Sequence, residues 1–192
     1  MKILFIHAKI FTLPVLLSVL LLSGISRARA EALDFNATIL NGTCDITAPS
    51  LVAFNPTIAG NFSQEGDTSE IRPLTIKLSN CTEGGTLNAA VQVNGHMGET
   101  AGMGSLFRDS GSSAQNIGVM VKNYDYKGPL KDFYSAPGTV VHGEFTHEQP
   151  PGESLSGKQL SYSIGLTRGM AGDLSSVIGH VQATLEFVFV YH

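Results

Sequence analysis

The sequence predicts a small, exported, all-β protein built as an antiparallel sandwich, and three observations carry that expectation. Apolar residues recur mostly at every second position, turn-forming clusters separate the runs, and the chain opens on a short apolar segment with a basic start.

The opening segment comes first in the chain. Lys2 and Lys9 supply positive charge, Ile10 to Leu22 is almost unbroken apolar sequence, and Ala28-Arg29-Ala30 forms a small-x-small cleavage motif. This is the layout of a secretory signal peptide. The apolar run is about 13 residues, against the roughly 20 that a membrane-spanning helix needs. No cysteine follows Leu20-Leu21-Leu22-Ser23-Gly24, so lipid attachment is not expected there. The expected division is a signal peptide over residues 1–30 and a single domain over residues 31–192, long enough for one real core.

Charge narrows the partners. Of 12 Lys/Arg in the chain, Lys2, Lys9, Arg27 and Arg29 fall within residues 1–30, while all 16 Asp/Glu come after them. An exported domain this acidic is not expected to bind nucleic acid or an anionic membrane. No other segment is long and apolar enough to span a bilayer, so a soluble product outside the cytoplasm is expected. Two cysteines, Cys44 and Cys81, both fall in the exported part. The oxidising compartment favours a disulfide between them, worth about 3–4 kcal/mol in the chain-entropy account. No His or Cys stands at ligand spacing beside them, which disfavours a metal site.

The strands follow in order. Phe35, Ala37 and Ile39 alternate with Asn36 and Thr38; Leu74, Ile76 and Leu78 alternate with Thr75 and Lys77. Leu87, Ala89, Val91 and Val93 form a third run, Ile117, Val119 and Val121 a fourth, and Leu160, Tyr162, Ile164 and Leu166 a fifth. Breaks fall at Asn80–Gly85, Asn94–Gly104, Asp109–Ser113, Lys127–Pro129, Ala136–Gly138 and Gln149–Gly152. The glycine-rich stretches from Gly95 to Gly111 read as loops, and Gly169–Asp173 as a short connection. No long stretch holds a 3.6-residue period.

The last run is the longest. Gly179, Val181, Ala183, Leu185, Phe187, Phe189 and Tyr191 share one face of a strand expected to reach the end of the sequence, with Gln182, Thr184, Glu186, Val188, Val190 and His192 on the other. So apolar an edge templates aggregation unless something covers it.

Catalytic signatures are missing. No Gly-x-Ser-x-Gly elbow, His-Glu-x-x-His pair or phosphate-cradling Gly-Lys-Ser/Thr occurs. His142 and His147 are expected to point to opposite faces of a strand and into solvent, as are the isolated His96 and His180. Asp125, Asp132, Glu144 and Glu148 read as surface charges. No cofactor or metal is expected. Tyr124, Tyr126, Phe133 and Tyr134 form an aromatic stretch whose expected role is packing, with a ligand-binding loop as the alternative. The four Asn-x-Ser/Thr sequons, at Asn36, Asn41, Asn61 and Asn80, are read as chance.

Together these residues resemble the type 1 fimbrial pilin family. Tyr191 stands at the family's penultimate tyrosine and Gly179 at its glycine fourteen places from the end. Ile71 to Cys81 is similar to the family's strand into its second cysteine, Phe35-x-Ala37-x-Ile39 before Cys44 resembles the strand into the first, and Asn116 to Val121 is similar to its central Gly-Val strand. The resemblance implies an incomplete immunoglobulin-like sandwich that lacks its last strand and is completed by a donor strand, a case of β-strand addition. It implies three partners in succession: a periplasmic pilus chaperone that first lends the strand, an outer-membrane usher, and the neighbouring fimbrial subunits whose strand replaces it. It further implies a cell-surface location in a fimbrium, a structural part in adhesion, and a C-terminal strand from Gly179 to Tyr191 that binds chaperone and subunit.

Leu33, Phe35, Ala37 and Ile39 are the implied donor residues, in a short segment over 31–39 that merges into the first strand. Ala37 occupies a place where many relatives carry glycine. So short a segment before Cys44 favours a minor or specialised subunit over a major shaft pilin. The alternatives are a tip or adhesive subunit binding a host ligand through its loops, and a free-standing secreted immunoglobulin-like binding module.

Overall fold

The computed structural model describes residues 43–192 apart from 83, 100–101 and 170–173. Among these residues the chain forms β1 (Asp45–Thr47), β2 (Thr68–Ser79), β3 (Ala89–Gly95), β4 (Ile117–Lys122), β5 (Thr139–Val140), β6 (Glu144–Gln149), β7 (Gln159–Arg168) and β8 (Leu185–Tyr191). Three short 3₁₀ turns, Ala59–Phe62, Leu130–Asp132 and Leu174–Val177, punctuate the connections.

The strands pair antiparallel in two sheets, one in the order β1-β2-β7-β4-β5 and one in the order β6-β3-β8. Their facing sides make the core. Leu74, Ile76 and Leu78 of β2 are buried while Pro73, Thr75 and Lys77 between them are exposed, the period of a strand with one covered face. Pro73 is tolerated because β1 reaches only as far as Lys77 along β2 and makes no demand on the N–H that proline lacks. Tyr162 and Ile164 of the neighbouring β7 extend this row within the same sheet, and Val91 and Val93 of β3 meet it from across the sandwich.

β4 departs from simple alternation: all six of its residues are buried. Its second face is covered by a satellite cluster of Met103, Leu106, Met120 and Phe133, lying on the outside of the five-stranded sheet. Met103 and Leu106, from the loop before β4, and Phe133, from the stretch after it, supply that cover. Gly165, in the middle of β7, makes room for it, since a Cβ there would collide with the Phe133 ring. Lys122 is fully buried beneath the same stretch, and its ammonium donates to the carbonyl oxygens of Tyr134 and Ala136 and to Thr139 Oγ1. Burial lowers its pKa from 10.5 to about 8.

Three short strands, β1, β5 and β6, were not expected from the sequence. β6 carries the clearest correction. His147 was expected to face solvent; it is partly buried, its ring 4.9 Å from that of Tyr162 and edge-on to it. Between Ala89 and Val91 of β3 the partner strand advances from Gln149 to Thr146, one residue too many, and His147 absorbs the excess at a positive φ of 50°. Its Nε2 is buried without a hydrogen-bond partner, and burial lowers its pKa below 6.5. The unfolded chain therefore takes up a proton here at a higher pH than the folded one, so stability is expected to fall as pH drops below about 6.5. His147→Asn keeps a residue that tolerates the left-handed backbone and removes the titration. Chemical unfolding between pH 5 and 8 should show a shallower acid limb in that variant.

On one side the chain crosses between sheets through Val141–Gly143, with Gly143 at a φ of 80°, which closes the sandwich there. On the opposite side stand two edge strands, β1 of one sheet and β8 of the other.

Candidate functional site: an open edge along the last strand

His192 and Asn88 exchange two backbone hydrogen bonds of 3.0 Å each. In an antiparallel ladder this sets the alternation along β8: even-numbered residues direct N–H and C=O to β3, odd-numbered residues direct theirs away. β8 ends the order of its sheet, so Leu185, Phe187 and Phe189 present main-chain groups to an edge that no described strand pairs.

The side chains of the same residues turn inward. Leu185, Phe187 and Phe189 are only half-buried, yet all three pack against the main core cluster. Phe187 lies 5.2 Å from the Tyr162 ring and Phe189 4.8 Å from that of Tyr191. Tyr162 is a firm floor: fully buried, with its hydroxyl 2.7 Å from Thr146 Oγ1, which in turn donates to Val91 O at 2.9 Å. Burial pushes its phenol up to about 12. What remains is an apolar trough whose floor is built and whose lid is missing among the described residues.

The other wall is β1 and the stretch after it. Ile46, Val52 and Phe54 pack on the same core from segments that carry no ladder partner on the trough side among the described residues. Asn55 ties this wall down, its N–H and side-chain amide both binding the Glu70 carboxylate at 2.8 and 3.0 Å. Sequence reasoning missed this wall. Val52 and Phe54 do alternate with Leu51 and Ala53, but Pro49 and Pro56 bracket so short a run that it reads as loop.

Tyr191 closes one end. Its hydroxyl donates to Thr82 O, and its ring lies against Gly84, where a Cβ would overlap it. Thr82 and Thr43 are cross-linked by two hydrogen bonds of 2.9 and 2.7 Å, and Cys44–Cys81 joins the same two segments as a disulfide.

The expected strand from Gly179 to the end needs correcting. Regular pairing begins at Leu185, and residues 180–184 run extended beside the loop of residues 109–114 with no ladder. Within that stretch Ala183 still packs on the main core and Val181 on a neighbouring cluster around Phe62, Ala114 and Val177. Gly179 lies outside the strand, at a φ of 146°, where a Cβ would sit 2.5 Å from Ser113 Oγ. The donor residues Leu33, Phe35, Ala37 and Ile39 lie outside the described residues. Of the aromatic stretch, Phe133 is fully buried and Tyr126 packs edge-on to it at 5.1 Å, so this stretch covers a sheet.

Solved structures place this architecture. The P pilus rod subunit PapA matches with a TM-score of 0.55 at 18% identity, over 78% of this chain and 99% of that one. The fold is that of a pilus subunit. A chaperone-usher pilus, in a structure concerned with rod uncoiling, matches with a TM-score of 0.53 at 17% identity, over 86% of this chain and 97% of that one. Pilus subunits have an immunoglobulin-like sandwich short of its last strand, which accounts for the trough between β1 and β8. No protein-family model and no curated protein matches the sequence.

Proposed function

We propose that the chain is a structural subunit of a chaperone-usher fimbria that accepts a donor strand in the trough between β1 and β8. The observation that carries this reading is the coincidence, on Leu185, Phe187 and Phe189, of unpaired main-chain groups with half-buried apolar side chains. An incoming strand would satisfy both at once, since its own backbone pairs with the edge while alternate side chains fill the trough. Residues 1–30 would direct export and be removed. Leu33, Phe35, Ala37 and Ile39 would be the strand lent to a neighbouring subunit, and a periplasmic chaperone would hold the trough until an outer-membrane usher exchanges the two. The role is architectural and not catalytic.

The magnitude explains why a lent strand would be obligatory. Burying one large apolar side chain is worth about 1.5–3 kcal/mol, so four or five pockets supply on the order of 10 kcal/mol. That equals the whole stability of a typical small domain. The test is export with and without the chaperone of the same fimbrial system. A one-to-one complex in the periplasm is expected with it, and degradation without it. A stable, soluble monomer produced alone would overturn this reading in favour of a free-standing binding module.

A further inference from the structure

The strip open to an incoming strand does not stop where β8 stops. Residues 180–184 continue its line, and each alternate N–H in that stretch is received by a side-chain oxygen and not by a backbone carbonyl. His180 N–H donates to Ser113 Oγ at 2.8 Å, Gln182 N–H to Ser112 Oγ at 3.0 Å and Thr184 N–H to Asp109 Oδ1 at 3.2 Å. The same groups grip in return. Ser112 Oγ donates to Gln182 O at 3.0 Å, and Thr184 Oγ1 donates to Asp109 Oδ2 at 2.7 Å. Backbone N–H groups of Asp109 and Ser113 reach Gln182 O and His180 O at 2.8 and 2.9 Å.

The gripping loop is itself held shut. Arg108 curls over it, its guanidinium donating to Ser112 O and to Ala114 O at 2.9 and 3.1 Å. Gly179 brings the chain in against Ser113 where any Cβ would be in the way.

The consequence is one of parity. His180 and Gln182 spend both backbone groups on this loop and Thr184 its N–H, as the even-numbered residues of β8 spend theirs on β3. Val181 and Ala183 then present theirs to the same open edge as Leu185, with their side chains toward the core. Resting on the trough's reading as a strand acceptor, we infer that Asp109, Ser112 and Ser113 are positioning residues that set its length: they hold residues 180–184 in line with β8 and extend the acceptor edge from Leu185 back to Val181. A donor long enough to reach Val181 gains from them, and a shorter one does not.

The experiment compares peptides on the full chain. The probes are fluorescent peptides of residues 31–41, 31–37 and 35–41 of this sequence, measured by their exchange into the chaperone-bound chain, for the wild type and for a variant carrying Asp109→Ala, Ser112→Ala and Ser113→Ala. In the wild type the full peptide should bind more tightly than either shortened one. The variant should lose about tenfold to a hundredfold for the full peptide, the size of one or two main-chain hydrogen bonds with their contacts. It should bind the shortened peptide that no longer reaches Val181 as the wild type does. Equal loss for all three peptides, or no loss for the full one, would overturn the inference. Failure of the wild type to bind any peptide would instead overturn the acceptor reading beneath it.

Discussion

Replacing both Phe187 and Phe189 with aspartate should abolish capture of the chain by its chaperone and remove it from the periplasm. Each ring is half-buried against an aromatic partner, Tyr162 for Phe187 and Tyr191 for Phe189. An incoming strand would complete the burial of both, for about 1.5–3 kcal/mol each. The substitution loses that gain and adds two carboxylates to a space about to be sealed from water, where an unpaired charge is far more costly than a lost contact. A combined loss above about 4 kcal/mol weakens strand binding by three orders of magnitude. Co-purification with the chaperone and periplasmic yield are the readouts. Val188→Thr with Val190→Thr, on the opposite face of the same strand, is the control and should leave capture intact. Undiminished capture of the aspartate variant would show that the trough does not receive a strand.

The second large effect concerns the far side of the molecule. Gly165→Val should destabilise the chain by about 3 kcal/mol, because the new side chain occupies the place of the Phe133 ring. Phe133→Ala should cost a similar amount by leaving a cavity where a fully buried ring stood. The two are coupled. In the double variant the valine fills part of the space the ring vacates, so the combined loss should fall well short of the sum. Thermal unfolding of the four strand-complemented forms measures this, at about 2–4 °C per kcal/mol for a domain of this size. Strict additivity would mean that the ring does not rest on β7 at Gly165.

Much of the architecture was legible because strands with one wet face declare themselves. Leu74, Ile76 and Leu78 alternate with polar residues, and β2 stands where that pattern lies. β4 was legible in place but not in burial, since the cover on its second face comes from Met103, Leu106 and Phe133, which local sequence cannot connect to Met120. The β1 wall was hidden by its brevity and by flanking prolines. β6 was hidden by its bulge: one extra residue at His147 breaks the two-residue period that would have revealed the strand. The candidate site divided in the same way. Phe187 and Phe189 were readable from the alternation of the last run, and Tyr191 from its place at the end. Residues 180–184 read as more of the same strand. What distinguishes them is a set of hydroxyl and carboxylate acceptors some 70 positions earlier in the chain, contacts that leave no trace in periodicity.

The junction at Tyr191 has a mechanical consequence. A pull along β8 meets two resistances in parallel: the row of backbone bonds to β3, and the single bond from the Tyr191 hydroxyl to Thr82. Thr82 follows Cys81, so the second route leads within one residue to a covalent link with the segment that begins β1. Tension on the last strand is thereby delivered to both sheets, and the sandwich is loaded as one body instead of being peeled one sheet from the other.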